Sequence, residues 1–259
     1  MLAVGGLLLS LPALTHDFWI EPLDFSPEVG ARVDVSLRVG MDFSGDTVPY
    51  IPDWFSDYRV VDARGARPVE GITGDDPAGS FEVRAPGLQV VGYRSTVDFV
   101  DMEPEKFIEY LKDEGLEHVI ALREQRGESD RSAPEFYSRC AKSLLRAGGG
   151  RGGHDAVLGY TLELVPEADP YALEPGSQLP LRLIYRGNPI EDILVIAFTS
   201  DRPDEKVSIR TDSQGRVAVP LDRPGVWLIK AVHLIETDPG VRADWESFWA
   251  SLTFELPRD

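Results

Sequence analysis

The chain has 259 residues, enough for two domains of ordinary size, each with its own core. Asp and Glu outnumber Lys and Arg 44 to 26, and the formal charge of −18 excludes nucleic acid and anionic membrane surfaces as partners, since both need basic patches. A single cysteine, Cys140, excludes an intrachain disulfide and a cysteine-based metal site.

Residues 1–15, MLAVGGLLLSLPALT, carry no charge. The run is too short to span a bilayer comfortably and ends in Pro12 and small residues, as a secretory signal peptide does. A buried first strand and a lipid-facing anchor are the alternatives. Cleavage after Thr15 would make His16 the first residue and place the protein in the periplasm or outside the cell. The acidity confers solubility and also suits cationic partners, metal ions among them.

From residue 16 to about 100 the pattern is β. Val33, Val35, Leu37 and Val39 alternate with Asp34, Ser36 and Arg38, the mark of a half-buried strand. Residues 58–61, 80–83 and 88–93 predict further strands, punctuated by Pro27, Gly30 and Gly87. Residues 103–126 then predict helix. Pro104 suits a first helical position, and Gly115 caps a first helix before a second begins. Residues 133–147 predict a third helix through the spacing of Phe136, Cys140 and Leu144, with Cys140 buried. The tract 148–153, GGGRGG, predicts a loop or hinge.

Beyond residue 157 seven short strands are expected, at 158–164, 179–185, 193–198, 206–210, 217–220, 226–232 and 251–256. Asp212 to Gly215 supplies a tight turn, and Trp245 and Trp249 share the spacing of one helical turn. The fold predicted is mainly β: two β-sandwich units of the immunoglobulin or transthyretin kind with a helical insertion. The division expected is a signal peptide at 1–15, an N-terminal β domain at 16–100, a helical insertion with glycine-rich linker at 101–153, and a C-terminal β-sandwich at 154–259.

Four histidines carry the candidate chemistry. A histidine made N-terminal by cleavage at 15/16 offers two nitrogens, its α-amine and ring Nδ1, that close a chelate on one metal ion. His233 ends an apolar strand and precedes Glu236 and Asp238, so it is the expected partner of His16. Nitrogen-rich tetragonal sites favour copper(II) or nickel(II). Against this stand an exposed terminus with no role for His16 and an edge-of-core histidine bonded to backbone for His233. His118, flanked by acidic residues, is expected to face solvent, and His154 adjoins the glycine tract. No phosphate-loop, zinc-protease or serine-hydrolase motif occurs, so no catalytic residue is assigned and the chain is expected not to be an enzyme.

The opening His16-Asp17-Phe18-Trp19-Ile20-Glu21-Pro22, residues 109–116 and 131–142, and the blocks 158–171, 225–233 and 249–255 together resemble the DUF4198 family, whose members are described as the periplasmic component of cobalt/nickel uptake systems. The resemblance runs over nearly the whole chain after residue 15. It implies two sandwich-like parts with a helical insertion, export, and a role in handling a divalent transition metal (nickel, cobalt or copper), with a membrane metal-transporter subunit as partner. His16 and His233 are the residues the matched motifs carry over. A structural or adhesion-type module that binds protein or glycan is the second reading, and a copper-dependent oxidative enzyme the third.

Overall fold

The computed structural model describes residues 16–150, 156–174 and 176–257. The expected signal peptide, His154 and part of the glycine tract lie outside them. Among the described residues the alternating segments become β1 (Asp17–Pro22), β2 (Arg32–Met41), β3 (Ser44–Val48), β4 (Phe55–Asp62), β5 (Gly65–Pro68), β6 (Ser80–Glu82), β7 (Gly87–Ser95) and β8 (Asp98–Met102). Two helices follow, α1 (Pro104–Asp113) and α2 (Glu117–Arg126), and then β9 (Ala133–Ala147). The second half carries β10 (Leu162–Pro166), β11 (Gln178–Tyr185), β12 (Asn188–Pro189), β13 (Leu194–Thr199), β14 (Arg202–Arg210), β15 (Arg216–Pro220), β16 (Gly225–Glu236) and β17 (Trp245–Leu256).

Nine strands join in one sheet in the order β14-β13-β16-β17-β9-β7-β4-β5, with β8 paired to the start of β9. All pairs are antiparallel except β17 with β9, which run parallel from Trp245 opposite Glu135 to Thr253 opposite Ser143. That parallel pair joins strands from both halves of the chain, so the large sheet crosses the expected boundaries at 100 and 153. Strands β1, β2, β3 and β6 form a second sheet, and β10, β11, β12 and β15 a third.

Successive side chains of a strand point to opposite faces of its sheet. On one face of the central sheet Val91, Tyr93, Ala141 and Leu145 pack against Phe18, Ile20, Val35 and Leu37 of the β1–β2 layer. On the other, Leu144, Ile229, Ala231, Phe248 and Leu252 pack against Leu162, Leu181 and Val217 of the third sheet. The result is sandwich packing on both faces. The helices share the face of the β1–β2 layer, where Phe107, Leu111 and Val119 meet Val232, Leu234 and Trp245. Pro104 opens α1 as expected, and Gly127, at a φ of 67°, caps α2 in the left-handed conformation that favours glycine.

The third helix expected at 133–147 is a strand, the fifteen-residue β9. The spacing of Phe136, Cys140 and Leu144 misleads because four is also a multiple of the strand period, so all three share one strand face. Both faces of β9 are covered by other sheets, which removes the polar alternation that marks a half-exposed strand. Trp245 and Trp249 fail as a helical turn for the same reason: both lie on one face of β17. Cys140 is buried, as expected. After β9, Gly148 and Gly149 take φ values of 56° and 60°, and the Gly148 N–H donates to Pro27 O at 2.8 Å.

Candidate functional site

β1 packs on β7, β9 and β17 of the central sheet and is fixed there by three kinds of contact. The Thr253 hydroxyl donates to Ile20 O at 2.7 Å. Asp17, Lys230 and Glu114 form a buried triad, with Lys230 Nζ 2.6 Å from Asp17 and 2.8 Å from Glu114. The two carboxylates hold the Lys230 ammonium above its ordinary value against the desolvation that burial imposes. Trp19 packs edge-on against Phe43, which packs edge-on against Phe198. Phe43 and Asp42 both take positive φ, 58° and 55°, at the tight turn between β2 and β3.

This anchoring leaves a cleft of about 760 Å³ between the β2–β3 hairpin and the edge of the central sheet, with His16 and Phe18 in its wall. Its size is that of a small-molecule site. Phe18 stacks at a tilt on Tyr93, ring centres 4.8 Å apart. The Arg139 guanidinium lies 4.8 Å from the centre of the Tyr137 ring and 5.8 Å from that of Phe18. Burial pushes both tyrosine hydroxyls up from their ordinary value. The Tyr93 hydroxyl donates to Trp54 O at 3.2 Å, and that of Tyr137 to Asp98 at 3.0 Å. Met41, Trp54 and Val97, 45%, 45% and 59% exposed, form an apolar rim.

Behind this wall lies Glu135, 1% exposed. It accepts a short hydrogen bond from the Ser247 hydroxyl, which itself accepts from Trp249 Nε1 at 2.9 Å. Burial pushes its carboxyl up to about 8 despite that bond and the nearby Arg139 charge, so it is protonated at neutral pH.

His16 is half-buried, and its Nδ1 is shielded from solvent without a hydrogen-bond partner. His233 is not beside it. Lys230 faces the β1 layer, so His233, an odd number of residues further along the same strand, faces the opposite side of the sheet. There its ring sits 4.5 Å from Tyr185 and 6.5 Å from Phe248. Desolvation, with the His118 and Arg186 charges, lowers its pKa to about 4. The two expected ligands are therefore not brought together, and the cationic surroundings of His233 oppose a metal ion. His118 is exposed on α2, as expected. Among the described residues no group of three or more His, Cys, Asp and Glu side chains could hold a metal ion. What remains at the cleft is one unpartnered imidazole nitrogen.

Tyr93 lies on the expected strand 88–93 and carries no site signal of its own, and the sequence assigns no role to Arg139 or Tyr137 because the spacing at 133–147 points to a helix. Read as a strand, the same segment puts Glu135, Tyr137 and Arg139 on one face. Charged residues inside an otherwise apolar run were the available signal.

The family model described as "Domain of unknown function (DUF4198)" matches residues 13–235. No curated protein matches the sequence. Among solved structures, the D0-D1 domain of intimin is similar at 10% identity and a TM-score of 0.22, over 92% of this chain and 97% of that one. Similarity of that size says nothing about shared topology. No helix among the described residues is long and apolar enough to cross a membrane.

Proposed function

Since the chain belongs to the DUF4198 family, whose function is unknown, we propose from its own cleft that it is an exported binding protein that holds a divalent transition metal at His16. The observation that carries this reading is the buried, unpartnered Nδ1 of His16 in the cleft wall. A buried nitrogen without a partner is costly unless something occupies it. Cleavage after Thr15 would add the α-amine of the same residue, giving two nitrogen donors from one side chain and its backbone. Copper(II) or nickel(II) suits such a pair, and the metal would polarise whatever bound beside it. Asp17 is held by Lys230, so the wall that carries His16 is rigid, as a ligand mount must be. The role is delivery or buffering of nickel, cobalt or copper in the periplasm, with a membrane transporter subunit as the receiving partner.

Titration calorimetry with copper(II) and nickel(II) tests this on protein that begins at His16. His16→Ala and a form with one extra residue before His16 should each bind at least about tenfold more weakly, roughly 1.4 kcal/mol. Equal affinity of the extended form would remove the amine from the site, and full affinity of His16→Ala would overturn the proposal.

A further inference from the structure

We propose that the cleft also takes a small aromatic carboxylate, with Arg139 as its anion-binding group and the surrounding rings as its apolar seat. This goes beyond metal binding at His16 and does not depend on it. Arg139 makes no ion pair among the described residues, and its Nε is shielded from solvent without a partner. A half-buried guanidinium held over the Tyr137 and Phe18 rings has given up part of its hydration and gained no carboxylate in return. Its planar fork matches a carboxylate or a phosphate bidentately.

Two features select the carboxylate. Arg139 is the one permanent cation among the described residues that line the cleft, and Asp46 and Asp98 line it too, so a dianion would be repelled. Asp98 does not compete for Arg139, because its Oδ1 accepts the Phe99 N–H at 2.8 Å and its Oδ2 the Tyr137 hydroxyl at 3.0 Å. The body of the ligand is set by the walls. Phe18, Tyr93 and Tyr137 line the cleft as a buried aromatic wall, and the exposed Trp54 stands at the mouth.

The test is titration of the exported protein with 1-naphthoate and with its neutral amide, 1-naphthamide, followed by calorimetry and tryptophan fluorescence. Saturable one-to-one binding of naphthoate, at least about tenfold tighter than naphthamide, is expected. Arg139→Gln should abolish that preference, and Arg139→Lys should keep part of it. Equal affinity for the two compounds, or no naphthoate binding at millimolar concentration, overturns the proposal. The comparison on the unaltered protein decides the matter even if Arg139→Gln does not fold. Naphthoate binding by protein that takes up no copper(II) upholds this proposal and overturns the metal reading; copper(II) binding without naphthoate binding does the reverse.

Discussion

Replacing Glu135 by Gln should stabilise the protein by an amount that grows with pH. The carboxyl sits on β9 under the helices, 1% exposed, with Oε1 bonded to the Ser247 hydroxyl and Oε2 without a partner. Burial raises it from 4.5 to about 8. A raised folded-state value means that the fold holds a proton which the unfolded chain releases. The stability this contributes is complete below pH 4.5 and is lost as pH climbs from there through 8. Each unit corresponds to about 1.4 kcal/mol, so the loss is about 3 kcal/mol at pH 7 and about 5 kcal/mol above pH 8. Glutamine has nearly the same shape, can bond to Ser247, and does not titrate. Urea denaturation of both proteins at pH 4.5, 7 and 8.5 gives the difference directly, because every other titrating group cancels between them. The two should be nearly equal at pH 4.5 and should separate by several kcal/mol at pH 8.5. A gap that does not change with pH would mean that Glu135 is ionised in the folded protein, and the reasoning would fail.

Two further outcomes follow from buried charge. Lys230→Met leaves Asp17 and Glu114 facing each other in the protein interior, and should cost about 3–5 kcal/mol in denaturant titrations at pH 7; a loss below 1 kcal/mol would mean that the triad is open to water. His233 is depressed to about 4, so the unfolded chain takes up its proton first as pH falls below 6.5, and the fold loses stability between 6.5 and 4. His233→Phe should remove that loss, about 1–2 kcal/mol after solvent screening of a half-buried ring, with no effect at pH 8. An unchanged acid limb would sink the assignment.

Much of the fold was legible because its signals are local. The alternation at 33–39, Pro104 before α1 and Gly115 between the helices each specify a backbone choice within a few residues. β9 was not legible: layers distant in the chain cover both of its faces, β1–β2 on one and the β10–β11 sheet on the other, so its sequence lacks the polar alternation of a half-exposed strand. The site suffered the same way. His16 stands out in the sequence as a chelating terminus only on the expectation of cleavage after Thr15; the structure places His16 in the wall of a cleft. Its pairing with His233 turned on which face of the central sheet His233 takes. That parity is set by Lys230 reaching Asp17, a contact across more than two hundred residues. Arg139 was lost together with the strand that carries it.

Copper(II) electron paramagnetic resonance on protein that begins at His16 tests the central claim most directly. Nitrogen hyperfine coupling from the amine and one imidazole is predicted, lost in His16→Ala and unchanged in His233→Ala. A spectrum that survives His16→Ala, or that changes with His233→Ala, would contradict the placement of the metal at the cleft.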